Sequence, residues 1–181
     1  MINRGFMKAY KDIYLSLYKD NGYQDVAAAF DNLSKIISHA KKIRSKELQT
    51  HDKKNRDWYL SHQTIAYNFY VDLFSKDLKG LHKRIDYLSE LGVNMVHLMP
   101  ILQGRPGEND GGYAVMDYRA IEPSLGTIND FQGLTSALRE KQMHVVLDFV
   151  INHTAKEHQW AQKALAGDAF YQDYYLSLIH I

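Results

Sequence analysis

Cysteine and long apolar runs are both absent from this chain of 181 residues, and its formal net charge is only +1. Without cysteine there are no disulfides, which fits a reducing or cysteine-poor compartment. No apolar run approaches the roughly 20 residues that span a bilayer, and the first residues lack the apolar core of a signal peptide. The small net charge gives no electrostatic reason for binding nucleic acid or an acidic membrane. We therefore predict a soluble, cytoplasmic protein with neither partner, although secretion stays open.

Residues 1–60 are predicted to form a helical N-terminal domain. Apolar side chains recur there at intervals of three and four residues, in one set and in a second set that follows a possible helix cap at Asp25. The two sets are Tyr10, Ile13, Tyr14, Leu17 and Tyr18, and then Val26, Phe30, Leu33, Ile37 and Ala40. Residues 45–57 are polar and are interpreted as a connector or a short helix. No catalytic pattern is found in this region, so a helical packing module is the favoured interpretation.

Residues 61–181 show a different pattern, in which stretches of β-forming residues alternate with helical stretches. Strands are predicted at 65–74, 93–99 and 143–150, and helices at 77–92, ending at Gly92, and at 127–141. Residues 100–126 are predicted to be a long loop without regular structure. This alternation predicts an α/β fold with a parallel sheet and right-handed crossovers.

Two polar clusters follow the second and third predicted strands. The first is "ENDGGY" at 108–113 and the second is "DFVINH" at 148–153. Ligands bind at the carboxyl ends of the strands in parallel α/β folds, so both clusters are predicted to lie at one rim. The candidate site residues are Asp110 and Tyr113 from the first cluster, and Asp148, Asn152 and His153 from the second.

Each cluster also has a plainer interpretation. Gly111 and Gly112 let a ligand approach the main chain closely, yet they equally suit an ordinary surface turn. Asp148 suits a structural aspartate that ties loops together, since a charge beside an apolar run must be paired or hydrogen-bonded. A zinc site made from the nearby histidines is unconvincing, because no ligand set has the spacing of a metal site. We therefore predict no bound metal.

The second cluster resembles the first conserved region of the α-amylase family of glycoside hydrolases. Within that family, an ordered series of motifs looks specifically like amylosucrase and its sucrose-hydrolysing relatives. The series includes "DWYLS" at 57–61, "LKGL" at 78–81, "HLMP" at 97–100, "ENDGGYAV" at 108–115 and "VLDFVINHTAKEH" at 146–158. The resemblance is dense from Asp57 to Tyr174. It implies that residues 61–181 are the first three βα units of an incomplete (β/α)8 TIM barrel, truncated after its third strand, and that residues 1–60 are part of the helical domain before it.

The resemblance also implies roles for the candidate residues. Asp110 matches a position that binds sugar hydroxyls, Tyr113 one that offers a stacking face, and His153 one that hydrogen-bonds the same glucosyl ring. Asp148 and Asn152 match supporting positions. The implied partners are sucrose and an α-glucan acceptor. No cofactor is implied, because the glycosidic bond of sucrose supplies the driving force.

The implied reaction is retaining transfer of glucose from sucrose to an α-glucan or to water, with release of fructose. Retaining enzymes use a nucleophilic carboxylate and a protonated one about 5 Å apart. The family places this aspartate and glutamate on its fourth and fifth strands, beyond Ile181. We therefore expect no catalytic residue in this chain and no activity from it alone. The apolar end "LSLIHI" at 176–181 is interpreted as a boundary of gene prediction or sequence assembly, with the start of a native strand as the alternative.

Two other functions stay open at this point. A different α-amylase-family specificity, such as an α-glucosidase or a trehalose-forming isomerase, fits the same motifs. A non-catalytic sugar-binding module is the alternative of a different class. The sequence does not separate polymer synthesis from hydrolysis, and it gives neither the oligomeric state nor any metal requirement of the whole enzyme.

Overall fold

A computed structural model describes residues 4–19 and 25–175, with side chains described for 8–17 and 25–175. The chain divides into two compact units, Met1–Trp58 and Tyr59–Ile181, which we call the N-terminal and C-terminal units. The division into domains at residue 60 stays a prediction. The apolar end at 176–181 and the side chain of Tyr18 lie outside the described residues.

The N-terminal unit is helical, as the spacing of its apolar residues predicts. Its helices are α1 (Arg4–Lys19), α2 (Val26–Ile43) and α3 (Lys46–Lys54). Phe30 of α2 is buried and packs against Tyr10 and Tyr14 of α1, with ring centroids 5.8 and 5.5 Å away. The polar stretch 45–57 contains the short helix α3. Asp25 stands at the N-cap position of α2, as predicted, but its side chain makes no capping hydrogen bond and its φ is 62°.

The C-terminal unit contains a sheet of three parallel strands and a separate two-stranded hairpin. The strands in chain order are β1 (Ala66–Phe69), β2 (Met95–Leu98), β3 (Leu102–Gly104), β4 (Val115–Ile121) and β5 (His144–Leu147). The parallel sheet has the order β1-β2-β5, and in its register Val96 lies between Tyr67 and Val145. Val96 and Leu98 are fully buried because β2 is the central strand. The predicted parallel sheet is confirmed, with strands shorter than predicted.

Six helices accompany these strands in the described part of the unit. They are α4 (Val71–Ser75), α5 (Leu78–His82), α6 (Ile85–Glu90), α7 (Ile128–Glu140), α8 (Gln159–Leu165) and α9 (Ala169–Gln172). The prediction of a strand through residue 74 is wrong, since α4 begins at Val71. Val71 and Phe74 are three residues apart, which puts both on one helix face, and both pack against the core. The helix predicted at 77–92 is two helices, α5 and α6, and Gly92 follows the second with a φ of 81°.

The core of the C-terminal unit lies between the sheet and helices α4 to α7. Helix α7 starts at a capping box, in which Thr127 and Asp130 each accept a hydrogen bond from the other's backbone N–H. Its inner face then buries Leu134 and Leu138, which are 1% and 0% exposed. The fully buried side chains of the unit are Val71, Leu78, Leu81, Leu88, Val96, Leu98, Ile101, Val115, Leu134 and Leu138.

Residues 100–126 are not the structureless loop that the sequence predicts. Strands β3 and β4 pair in an antiparallel hairpin, with irregular register between Leu102 and Gly104. Val115 and Ile121, at the two ends of β4, are buried at 1% and 6% exposure. The burial of these two side chains within the C-terminal unit stabilises β4, although its residues do not alternate regularly between apolar and polar. The hairpin rises from the carboxyl end of β2 and carries the first polar cluster at its tip.

Candidate functional site

The tip of the hairpin is a single tight turn at Asp110–Gly112. Three consecutive residues have positive φ, with values of 54° at Asp110, 66° at Gly111 and 90° at Gly112. Asn109 closes the turn, because its side-chain oxygen accepts a hydrogen bond of 3.1 Å from the Gly112 N–H. The side chain of Asp110 is exposed on this turn. Positive φ is costly for a residue with a Cβ, although aspartate tolerates it better than most.

The two glycines are required by close contacts as well as by backbone angles. A Cβ on Gly111 would lie 2.8 Å from the hydroxyl oxygen of Tyr70, and one on Gly112 would lie 2.9 Å from Cβ of Pro100. Tyr70 follows β1 and Pro100 follows β2, so the turn is pressed against the carboxyl ends of both strands. The glycines therefore bring the Asp110 turn down onto the rim of the sheet, which an ordinary surface turn would not need.

Asp148 joins the two predicted clusters. It directly follows β5, and each of its carboxylate oxygens has a partner from another segment. The hydroxyl of Tyr113 donates a hydrogen bond of 2.7 Å to Oδ2, and Nε2 of His97, in β2, lies 3.0 Å from Oδ1. The carboxylate is about one-fifth exposed, at 22%. Asp148 thus ties the hairpin, β2 and the end of β5 together, which agrees with the plainer interpretation of this residue.

The contact with Asp148 keeps Tyr113 in its neutral form. Its phenol pKa is raised to about 12, first because the hydroxyl donates to Asp148, then because burial and the charge of Asp148 disfavour the phenolate. Tyr70 and Asp110 lie close enough to raise the pKa further. Tyr113 therefore presents an uncharged aromatic ring beside the exposed carboxylate of Asp110.

This arrangement predicts an unusual alkaline titration. A phenol whose folded pKa lies above the ordinary value of about 10 stabilises the fold fully below that pH, and the contribution is lost as pH rises through about 12. We expect Tyr113 to stay protonated at about pH 11, so that a Tyr113→Phe chain and the parent show the same phenolate absorbance there. The measurement is a rapid pH jump read by near-ultraviolet absorbance, before slower unfolding.

Asp148→Asn is the control for this titration, since it keeps the shape and removes the charge. In that background we expect Tyr113 to ionise by about pH 11, which restores a one-tyrosine difference between the Tyr113→Phe chain and its parent. A one-tyrosine difference already present with Asp148 intact would contradict the proposed hydrogen bond.

The two remaining candidates, Asn152 and His153, lie on the segment after Asp148. Both are exposed, and the Nδ2 of Asn152 lies 3.5 Å from Nδ1 of His153. Among the described residues this is the only polar contact of the His153 ring. The main chain of the segment is tied to the hairpin, because the Tyr118 hydroxyl donates to the carbonyl oxygens of Val150 and His153, at 2.6 and 3.2 Å.

The structure therefore brings Asp110, Tyr113 and Asp148 together, and it places Asn152 and His153 on an adjoining segment. His97, Tyr70 and Tyr118 also belong to this site, although they are not among the residues predicted from the sequence. Nothing in the local sequence of His97 indicates a partner 51 positions away. A polar side chain inside an apolar strand was the one available signal, because such a group requires a hydrogen-bond partner.

Two absences hold for the part of the chain that the structure describes. No group of three or more His, Cys, Asp or Glu side chains is arranged to hold a metal ion. None of the described helices combines the length and the hydropathy that crossing a bilayer requires.

Comparison with known families gives one extended match. The sequence profile of the family described as "Alpha amylase, catalytic domain" matches residues 66–180, which is more than half of the chain. The match includes the parallel sheet, the hairpin and all five candidate site residues.

Curated relatives match the same region. The chain is 34% identical over 122 residues to trehalose-6-phosphate hydrolase of Bacillus subtilis (strain 168), a match that covers 63% of this chain and 21% of that protein. It is 40% identical over 119 residues to 4-alpha-glucanotransferase of Thermotoga neapolitana, covering 62% of this chain and 26% of that protein. The chain thus spans about a fifth to a quarter of the length of these relatives.

Solved structures agree with this fold. Trehalose-6-phosphate hydrolase of Bacillus licheniformis superposes with a TM-score of 0.57 at 32% identity, over 63% of this chain and 22% of that one. A variant of MutB, a trehalulose synthase, in complex with the substrate sucrose gives the same TM-score of 0.57, the same 32% identity and the same coverage of 63% and 22%.

Proposed function

The chain belongs to the alpha-amylase catalytic domain family, and on that premise we propose that it supplies one wall of a pocket for the glucosyl ring of a sugar substrate. Its three parallel strands and their helices are part of the (β/α)8 barrel of that family. The sheet does not close among the described residues, where β1 and β5 each have one neighbour. The predicted fold class, an incomplete barrel after a helical segment, is thereby confirmed.

One observation carries the proposal: an exposed carboxylate and an uncharged aromatic ring lie side by side at the carboxyl rim of the sheet. Asp110 offers oxygens that accept hydrogen bonds from sugar hydroxyls, and Tyr113 offers an apolar face to the ring carbons. One carboxylate oxygen of Asp148 contacts Tyr113 and the other contacts His97. We therefore assign Asp148 the role of organising the pocket, and other residues the contacts with the sugar. His153, exposed on the adjoining segment, is the third proposed sugar ligand.

The proposed reaction is retaining transfer of the glucosyl group of sucrose to a glucan or to water. A carboxylate nucleophile attacks the anomeric carbon, and a protonated carboxyl gives its proton to the departing fructose oxygen. An acceptor hydroxyl or water then attacks the covalent glucosyl enzyme, which transfers the glucosyl group and frees the carboxylate. In the proposed transition state, which resembles an oxocarbenium ion, the contacts of Asp110 and His153 with ring hydroxyls tighten. None of the five candidate site residues is proposed for either of these two carboxyl roles.

A second candidate is cleavage or isomerisation of another small α-glucoside. The curated relatives include oligo-1,6-glucosidase of Bacillus cereus, 32% identical over 122 residues, as well as the two proteins compared above. The described pocket residues would contact only the glucosyl ring, which all these substrates share. The same pocket therefore supports either substrate class, and the choice rests with the groups that contact the rest of the substrate.

A substrate panel tests the proposal. The longest protein encoded by the gene that contains these residues is assayed with sucrose, maltose, isomaltose and trehalose 6-phosphate, and we expect fructose release from sucrose. The 181-residue chain, assayed in parallel, is expected to release no sugar, because none of its candidate site residues is proposed as the nucleophile or the acid. Glucose release from maltose or isomaltose without fructose release from sucrose would favour the second candidate. Sugar binding without turnover of any of the four would contradict both and favour a binding module.

A further inference from the structure

We propose that Tyr118 is a positioning residue of the pocket, whose hydroxyl holds the segment 149–154 against the hairpin and thereby sets the position of His153. This inference rests on the proposed function for the role of His153 in sugar binding. The hold of Tyr118 on the segment is a separate statement that can be measured without any substrate.

The hydroxyl of Tyr118 lies between two carbonyl groups of the segment. Val150 O accepts at 2.6 Å and His153 O accepts at 3.2 Å. A phenol has one proton to donate. The hydrogen bond to Val150 O is the shorter and stronger one, and His153 O shares the same proton more weakly. Burial raises the pKa of the Tyr118 phenol, which keeps that proton in place. The two accepting residues are three positions apart, and one side chain therefore closes a turn of main chain around Asn152.

The ring of Tyr118 is itself held in place. Its centroid lies 5.5 Å from that of Phe149, 5.4 Å from that of His158 and 6.0 Å from that of Trp160. His158 is 5% exposed, and its Nδ1 accepts a hydrogen bond of 3.0 Å from the Trp160 N–H at the start of α8. Burial lowers the pKa of His158, which favours the neutral ring that this contact requires. The Tyr118 ring is therefore held by neighbouring aromatic rings, and this fixes the position of its hydroxyl.

Few other contacts fix the segment, and one of them, at its end, joins the hydroxyls of Thr154 and Tyr175 across 2.8 Å. Residues 148–154 contain neither helix nor strand, and Ile151, Asn152 and His153 are exposed. Ties to the hairpin occur on both sides, where Tyr113 donates to Asp148 and the Ala155 N–H donates to Val115 O at 2.8 Å. Between these two ties, Tyr118 makes the hydrogen bonds that the segment shares with the hairpin. Losing its hydroxyl should loosen the middle of the segment and leave its ends attached.

Tyr118→Phe removes the hydroxyl and keeps the packed ring. In the 181-residue chain we expect the backbone NMR order parameters of residues 150–154 to fall from about 0.85 to below about 0.6, because the middle of the segment loses its tie to the hairpin. Order parameters in β4 and α7 should be unchanged, and the ring resonances of His153 should shift in NMR spectra. Tyr87→Phe is the matched control, because Tyr87 is half-exposed at 50% and lies on α6. Order parameters in 150–154 that stay at the parent's values in Tyr118→Phe would overturn the proposal.

A second measurement separates this role from a merely structural one. In the longest encoded protein, Tyr118→Phe should lower kcat/KM for its preferred glucoside about tenfold. In a His153→Ala background the same substitution should have no further effect, because its influence passes through His153. A full additional loss in that background would overturn the positioning role. Lower order parameters in 150–154 with unchanged kcat/KM in both backgrounds would leave the hold of Tyr118 on the segment intact and remove His153 from the proposed pocket.

Discussion

Replacing Asp110 with asparagine in the longest protein encoded by this gene is expected to lower kcat/KM for its glucoside about a hundredfold. The carboxylate of Asp110 is exposed beside the neutral Tyr113 ring and is free to accept from sugar hydroxyls. Hydrogen bonds to a charged acceptor are stronger than those to a neutral one, and two of them account for a loss of this size. The measurement is steady-state turnover together with a thermal unfolding curve.

Asparagine is the appropriate replacement because of the backbone at this position. The φ of Asp110 is 54°, in a region that asparagine tolerates nearly as well as aspartate. Asp110→Ala would add about 1 kcal/mol of backbone strain and confuse loss of the ligand with loss of stability. Glu108→Gln makes the same chemical change two residues earlier on the same exposed loop, and it should leave turnover within a factor of about two. Equal turnover in Asp110→Asn and Glu108→Gln would remove Asp110 from the pocket.

The same substitution, glycine to alanine, is expected to have opposite effects at two helical positions. In α5, a Cβ on Gly80 would lie 1.9 Å from the carbonyl oxygen of Ser75, and Asp77 Oδ1 already accepts from the Gly80 N–H at 2.6 Å. The backbones of α4 and α5 would have to separate, at a cost of about 3 kcal/mol or more. In α7, Gly133 is exposed and a Cβ would meet nothing within 4 Å. Alanine there should stabilise the helix by about 0.5–1 kcal/mol.

Urea and thermal unfolding of the 181-residue chain, followed by circular dichroism, measure both effects. Gly80→Ala is expected to lower the unfolding midpoint by more than about 10 °C, and Gly133→Ala to raise it by a few degrees. Because both glycines lie in the C-terminal unit, each variant serves as the other's control. A Gly80→Ala chain as stable as the parent would show that Gly80 of α5 does not lie close to the Ser75 carbonyl of α4.

Much of the fold could be predicted because its signals are local. The leucine spacing of α7 and the stop at Gly92 depend on residues within a few positions of each other. The secondary-structure predictions were wrong where contacts between residues distant in the chain outweighed the local preference for a strand or a loop. The stretch 65–74 is rich in β-formers, yet its last four residues begin α4, in which Val71 and Phe74 lie on one helix face and pack against the core.

The candidate site shows the same division. Asp110, Tyr113, Asp148, Asn152 and His153 were identified from residue types, from their position after strands and from the family resemblance. The contacts among these residues and with His97 were not predicted, because His97 and Asp148 are 51 positions apart, and Tyr113 and Asp148 are 35. Pairing across such separations depends on how the strands and the hairpin dock, which no short window of sequence encodes.

The sequence by itself determined that this chain has α/β periodicity in its C-terminal part, that Gly111 and Gly112 allow main-chain conformations closed to other residues, and that its motifs resemble those of the alpha-amylase family. The first two properties follow from the regular spacing of apolar side chains and from backbone sterics, and the third is a similarity of ordered motifs. Only the tertiary structure decided that residues 100–126 form a hairpin, that Asp148 is a tie between segments, and that Tyr118 reaches the segment that carries His153. Each of these depends on a hydrogen bond or a packed contact between residues far apart in the chain, and such contacts exist only once the elements have assembled.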